Sequence, residues 1–372
     1  MRIVADERIA ALDESFGRQG ELLKLPGRQI RKEHLLRADA LLTRTVTTVD
    51  EALIDGTSVR FVGTATIGTD HLDTQFLNQH EITWSAAPGC NADATAQYTL
   101  AHFLLACDRL GLNPQNQRFG IVGCGNVGSR LRRLLEITGM DVVVCDPPLQ
   151  EQGLSGFSSM TEILECDVIS LHVPLTRQGR WPTYQMFDNE LLSKLGSNKL
   201  LINACRGDVI EPESLSQWIG NGGHAALDVW PNEPHIDPGL IELATTATPH
   251  IAGYSLDGKL RATSMIYADF CRRFCITDFD EIRPDEKPTL DLDSLESHRL
   301  EDIVLNVCPI VRDDQAMRHR LATSGIDQVA EYDALRSHYP ERRDFAAWTL
   351  KGGLEPGLES TLRKLGFSVT NH

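Results

Sequence analysis

The chain has 372 residues, with 52 aspartates and glutamates against 36 lysines and arginines, and a formal net charge of −16. That balance excludes nucleic acid as the main partner, although a local arginine site can still hold a small anion. No apolar run approaches the roughly 18 residues of a membrane span, MRIVADERIA lacks a signal-peptide pattern, and the nine cysteines are scattered with no C-x-x-C pair, so the expectation is a reducing cytoplasm, no membrane, and no disulfide or metal framework.

A chain of this length exceeds one core and points to about two or three domains. Ile3–Ala5, Ala40–Leu42, Arg60–Val62 and Ile82–Trp84 read as short strands separated by helical or polar stretches, an α/β pattern. Arg44-Thr45 follows the second of these runs and Thr64-Ala65-Thr66 the third. Both therefore stand at strand ends, where parallel sheets bind ligands. Asn91 or Asp93 can cap a helix through Ala94, Tyr98, His102 and Leu105, long enough to cross between two domains.

Phe119 to Val122 then reads as the end of a buried parallel strand, and Gly123-Cys124-Gly125-Asn126-Val127-Gly128 is a G-x-G-x-x-G. Alone, such a fingerprint is weak and fits a glycine-rich turn in other α/β proteins, so its setting matters. Val127, Leu131, Leu134 and Leu135 share one helical face, Asp141–Cys145 is a second strand, and Asp146 ends it, 23 residues beyond Gly123. Strand, glycine turn, helix, strand and acid form a dinucleotide-binding unit. Gly123 would make the tight turn, Gly125 would admit the pyrophosphate, and Gly128 would let helix pack on strand. The helix N-terminus offers unpaired N–H groups to phosphate. Asp146 can accept from ribose hydroxyls and would repel a 2′-phosphate, so the expected cofactor is NAD.

Three charged residues follow, each after a further strand-like run: Arg206 in Asn203-Ala204-Cys205-Arg206-Gly207, Glu233 in the loop after Ala226 to Val229, and His250 in Pro249-His250-Ile251. Singly, each has a plainer reading: a surface ion pair, a solvated carboxylate, a hydrogen-bonded structural histidine. Three at successive strand ends of one nucleotide domain point instead to an acid–base centre with a carboxylate clamp. Asp257–Arg273 reads as a helix returning to the first domain, and the proline- and acid-rich stretch from about Pro284 (RPDEKPTLDLD) as a linker to several amphipathic segments.

The glycine fingerprint, NACRG (Asn203–Gly207), LDVWPNEP (Leu227–Pro234) and TPHIAGYS (Thr248–Ser255), in this order, resemble the signatures of the NAD-dependent D-2-hydroxyacid dehydrogenases. A narrower likeness to a subgroup acting on a phosphorylated acid is carried by RFVGTATIGTDHLD (Arg60–Asp73), APGCNADA (Ala87–Ala94), HIAGYSLDGKLRAT (His250–Thr263) and HYPERRDF (His338–Phe345). The resemblance implies a Rossmann-type doubly wound parallel sheet for NAD over 94–254. It also implies a flavodoxin-like substrate (lid) domain over 1–93 plus 255–283 and a C-terminal α/β dimerisation domain over 284–372. It makes His250 the base, Glu233 its partner and Arg206 the carboxylate clamp. Gly123, Gly125, Asn126, Val127, Gly128, Asp146, Val173, Ala204, Asp228 and Gly253 would contact NAD, and Arg44, Thr45, Thr66 and Tyr254 the small anionic, phosphorylated substrate. Thr45 stands where some relatives have serine, which keeps the hydroxyl. Val173 stands where some have threonine, so only its main chain is implicated.

The tail does not look like the regulatory ligand-binding domain of many phosphoglycerate dehydrogenases. Its apolar residues Val304, Leu305, Val307, Ile310 and Val311, with Trp348-Thr349-Leu350, are expected to bury against a second copy in a homodimer, or else to pack on their own nucleotide domain. Arg342 and Arg343 belong either to that dimer surface or to a phosphate site. Oxidation of another 2-hydroxy acid, such as 3-phosphoglycerate or glycerate, is the rival activity. An NAD-sensing corepressor is the rival from another class, but it should carry long disordered extensions, which the compact tail does not offer.

Overall fold

The computed structural model describes residues 1–277, 282, 287–321 and 327–370. The chain divides into two compact units, Met1–Asn91 with Ser255–Glu286, and Ala92–Tyr254 with Lys287–His372. The first is built on a parallel sheet of β1 (Arg2–Asp6), β2 (Glu21–Leu25), β3 (Ala40–Thr43), β4 (Phe61–Thr64) and β5 (Thr83–Ser85), in the order β2-β1-β3-β4-β5. β3 and β4 are buried at every residue, as strands covered on both faces must be. One face carries the helix Leu256–Arg273, whose Ile266, Tyr267 and Phe270 share a core with Phe16, Leu42 and Phe61. Ile30, Leu35, Val49, Phe76 and Leu77 cover the other face together with Val4 and Val62. The order is that of flavodoxin-like sheets, with the connection reversing between β1 and β3. β2 has no counterpart in the strands expected from sequence, because ELLKL is a half-exposed edge strand with no distinct apolar run.

The second unit holds a parallel sheet of β6 (Arg118–Val122), β7 (Asp141–Cys145), β8 (Val168–Leu171), β9 (Leu200–Asn203), β10 (His224–Leu227) and β11 (Thr246–Ala247). Its order, β11-β10-β9-β8-β6-β7, reverses between β6 and β8, which creates a crevice at their carboxyl ends. Every strand is parallel to its neighbours, so the loops after all six strands lie along one edge.

The remainder of this unit is the C-terminal segment. It contributes a parallel sheet of β12 (Thr289–Asp291), β13 (Thr349–Lys351) and β14 (Ser368–Thr370), in the order β12-β13-β14, and the helices Leu300–Val307, Ile310–Leu321, Gln328–Ser337 and Pro356–Leu365. Residues 283–286 of the expected linker lie outside the described residues, and its TLD portion is strand β12 rather than linker. The helix Ala92–Leu110 falls within this unit and begins at its first residue. It is buried on nearly all sides, so it needs cover beyond the sheet. The tail supplies it. Ile303, Val304, Val307 and Ile310 form one core with Phe103, Leu104 and Phe119 of the same chain. The expectation that this patch awaits a second copy is therefore corrected: Val304 and Ile310 are fully buried within one chain, Leu305 is partly buried there, and Val311 alone of the patch is exposed. Among the described residues, no helix is long and apolar enough to cross a membrane.

Candidate active site

Sheet topology places the chemistry. After β9, Asn203 folds the NACRG loop on itself: its Oδ1 accepts the Cys205 amide at 3.1 Å and its Nδ2 donates to the Arg206 carbonyl at 2.9 Å. This leaves the Arg206 side chain exposed beyond the strand end, with Nη1 donating to the Cys205 carbonyl at 2.7 Å. Gly207 follows because a Cβ there would collide with the Trp230 carbonyl. The arginine loop thus approaches the loop after β10 closely.

In that second loop, Glu233 accepts the Trp230 amide on Oε1 at 2.8 Å and His250 Nδ1 on Oε2 at 2.7 Å. Burial pushes the Glu233 carboxyl up, but the hydrogen bond and charge of His250 and the Trp230 amide outweigh it and hold it below its ordinary value. Because the carboxylate stays ionised, Nδ1 carries the proton, and Nε2 is the nitrogen for proton exchange.

His250 itself has φ +55°, a region that side-chain-bearing residues seldom adopt. Its loop is over-determined. The His250 amide donates to the Asp228 carbonyl at 2.7 Å, and the Asp228 carboxylate accepts from Thr248 Oγ1 at 2.6 Å and from the Ile251 and Ala252 amides at 2.9 Å each. Asp228 was expected to meet the cofactor. At 1% exposure with these donors on its carboxylate, it also holds the His250 loop in place. Sequence reasoning also missed His102, whose ring nitrogens lie 2.7 Å from Thr246 Oγ1 and 3.1 Å from Thr248 Oγ1, and whose pKa burial pushes down to about 4. Its only signal is a histidine amid apolar residues in the helix Ala92–Leu110.

The glycine loop lies at the β6–β8 reversal. Gly123 has φ +92°, and a Cβ there would stand 2.7 Å from the His172 carbonyl oxygen. A Cβ on Gly128 would strike the Gly123 carbonyl, whereas one on Gly125 would meet nothing within 4 Å. The first and third glycines are thus required by the fold. The second opens a space at the start of the helix Asn126–Ile137, where a pyrophosphate fits. Asp146 accepts the Cys124 amide at 2.7 Å and the Leu149 amide at 3.0 Å, which ties the acid to the loop while each oxygen retains a further lone pair. Asn126 is exposed on the first helical turn, and Val127 packs against the core. Val173 lines the far side of the reversal, beside His172, whose pKa burial pushes down to about 3. Ala204 and Gly253 are half-buried in the loops after β9 and β11. These residues fit a dinucleotide.

Tyr254 belongs to the same edge, its ring 6.2 Å from that of Tyr339. Arg44, Thr45 and Thr66 lie in the first unit, at the ends of β3 and β4. Arg44 is held by the fully buried Asp6, Nε to Oδ2 at 3.0 Å, a partner that sequence reasoning did not find. Thr45 is exposed, and Thr66 Oγ1 lies 2.7 Å from Thr64 Oγ1, which is itself 2.9 Å from His71 Nε2.

Residues 94–252 match the family described as D-isomer specific 2-hydroxyacid dehydrogenase, NAD binding domain. Residues 286–366 match one described only as a domain of unknown function. The chain is similar to the erythronate-4-phosphate dehydrogenase of Stutzerimonas stutzeri (strain A1501), with 42% identity over 98% of this chain and 99% of the relative. It is similar also to that of Pseudomonas entomophila (strain L48), with 42% identity over 100% and 97%. Its fold is shared with the NAD+-bound 3-phosphoglycerate dehydrogenase of Entamoeba histolytica, at a TM-score of 0.60 and 23% identity over 75% of this chain and 99% of the other. The D-lactate dehydrogenase of Aquifex aeolicus, complexed with NAD and lactic acid, gives 0.59 and 22% over 74% and 96%.

Proposed function

The chain belongs to the erythronate-4-phosphate dehydrogenase family of the D-isomer specific 2-hydroxyacid dehydrogenases, and on that premise we propose that it oxidises 4-phospho-D-erythronate to (R)-3-hydroxy-2-oxo-4-phosphooxybutanoate on the route to pyridoxal 5′-phosphate. It is an NAD-dependent oxidoreductase of the 2-hydroxy acid class. The observation that carries the reading is the 2.7 Å pair of His250 and Glu233 at the ends of β11 and β10, beside the Arg206 loop.

NAD+, when bound, supplies the acceptor for the hydride that leaves C2. His250 Nε2 takes the C2 hydroxyl proton. Glu233 keeps the ring in the Nδ1–H tautomer and stabilises the imidazolium that forms. Arg206 holds the substrate carboxylate with a planar fork matched to a planar acid and polarises the C2 oxygen. Gly123, Gly125, Asn126, Val127 and Gly128 bind the pyrophosphate, and Asp146 binds the adenosine ribose. Val173, Ala204 and Gly253 contact the rest of the dinucleotide. Arg44, Thr45, Thr66 and Tyr254 contact the substrate, whose phosphate suits the guanidinium that Asp6 orients. The chain works as a cytoplasmic homodimer joined through its C-terminal segment. In support, its nine cysteines are free thiols and Val311 is exposed on the tail.

Turnover of a panel with NAD tests the reading. We expect the highest kcat/KM for 4-phospho-D-erythronate. A higher value for 3-phosphoglycerate or glycerate would reassign the substrate.

A further inference from the structure

The loop that carries His250 is gripped from two sides. From the end of β10, the Asp228 carboxylate takes the amides of Ile251 and Ala252 at 2.9 Å each. From the C-terminal segment, Arg342 Nη2 donates to the carbonyls of the same two residues, at 3.4 Å to Ile251 and in a closer bond to Ala252. Arg342 is 4% exposed, and its guanidinium carbon lies 4.3 Å from the centroid of the Tyr98 ring. The hydroxyl of that ring donates to Asp313 at 2.8 Å. One residue on from Asp313, Asp314 accepts the Ala247 amide of β11 at 2.7 Å. The tail therefore holds the segment bearing His250 before and after the histidine.

We propose that Arg342 is a positioning residue for His250: with Asp228 it clamps the Ile251–Ala252 peptides, and so the C-terminal segment sets the angle at which the imidazole meets the substrate hydroxyl. The proposal rests on the reading of His250 as the base. Its physical ground is the backbone at His250, whose φ of +55° persists only where surrounding contacts impose it. The guanidinium lies over the Tyr98 ring, which fixes the direction in which Nη2 donates to both carbonyls, and an ammonium on a flexible stem has no such plane to hold it. A misplacement of about 1 Å at a reacting group can cost about 10²-fold in rate. In the cofactor cradle Asp146 accepts the Cys124 and Leu149 amides, whereas Arg342 donates to the Ile251 and Ala252 carbonyls, so binding of NAD should not follow the loss of rate.

Arg342→Lys and Arg342→Gln test this in the full-length chain through three measurements: kcat with 4-phospho-D-erythronate, the NAD dissociation constant, and the downfield proton resonance of the His250 Nδ1–H···Glu233 bond, identified by its loss in His250→Ala. We expect kcat to fall roughly 10- to 100-fold, with lysine retaining more than glutamine. The dissociation constant for NAD should stay within about twofold, and the downfield proton should broaden or move upfield. If the unmodified chain does not turn over the substrate, the functional reading fails, and the proton resonance alone then decides the positioning role. An unchanged resonance in both variants overturns the proposal, as does unchanged kcat where turnover can be measured. Loss of NAD binding together with cooperative unfolding in both also overturns it, because Arg342 would then only hold the fold.

Discussion

Two carboxylates do different work on the cofactor-bearing edge. Glu233 is held below its ordinary pKa, chiefly by His250 acting against the upward push of burial. A depressed carboxyl adds stability that is complete above its unfolded pKa and is lost as pH falls through the folded one. The Glu233 contribution should therefore fade only on the acid side of the usual carboxylate range, and Glu233 should not appear as a limb in the neutral pH–rate profile. Glu233→Gln removes the charge that stabilises the imidazolium. The maximum of kcat/KM should therefore fall. His250→Ala should cut turnover by roughly 10²–10⁴ while NAD still binds; near-normal rates across pH would require another base. Asp146 serves selectivity. Its charge opposes a 2′-phosphate, so Asp146→Ala should narrow the ratio of kcat/KM for NAD over NADP. It should also lower thermal stability, because Asp146 caps the Leu149 amide, and such caps contribute about 0.5–2 kcal/mol. Equal efficiency with both cofactors in the unmodified chain would remove the ribose role from Asp146.

Loops at strand ends carry this site, and their glycines separate fold from ligand. Gly207→Ala puts a methyl into the Trp230 carbonyl and must drive the Arg206 loop away from the Glu233 loop. Overpacking of this kind costs about 1–3 kcal/mol, so both melting temperature and turnover should drop. Gly125→Ala meets nothing within 4 Å, so its melting temperature should hold while the KM for NAD rises. Parallel thermal melts and NAD titrations check the pair, and a destabilised Gly125→Ala would show that this glycine serves the fold. The same contrast explains what the sequence could reveal. Fingerprint spacing, Asp146 and the strand-end positions of Arg206, Glu233 and His250 are local features, and a parallel sheet turns them into one edge. The hold of Asp228 on the His250 loop was not legible because it depends on β10 and β11 lying side by side, which brings residues 248–252 over its carboxylate. Asp6 and Arg44 are likewise joined only by the pairing of β1 with β3.

At the scale of the molecule, an apolar pattern announces burial without naming the surface that provides it. Val304, Val307 and Ile310 were legible as a buried stripe, but their cover is the helix Ala92–Leu110, about two hundred residues earlier in the chain. That helix is buried on nearly every side, so the nucleotide domain cannot keep it dry alone. Removing the segment from Lys287 onward would uncover Tyr98, whose hydroxyl donates to Asp313 and whose ring Arg342 covers, and Gln97, which accepts the Phe345 amide. It would also release the Ala247 amide from Asp314 and the Ile251–Ala252 carbonyls from Arg342. Uncovering large apolar side chains costs about 1.5–3 kcal/mol each, and a folded domain has only about 5–15 kcal/mol to lose. A chain ending at Glu286 should therefore be insoluble, or should melt without cooperativity and fail to bind NAD, whatever the state of association of the full-length protein. Sedimentation, thermal melting and NAD titration of the truncated chain measure this. A soluble truncated chain that melts cooperatively and binds NAD would show that the tail is an appended module and that the shared core contributes little to the nucleotide domain.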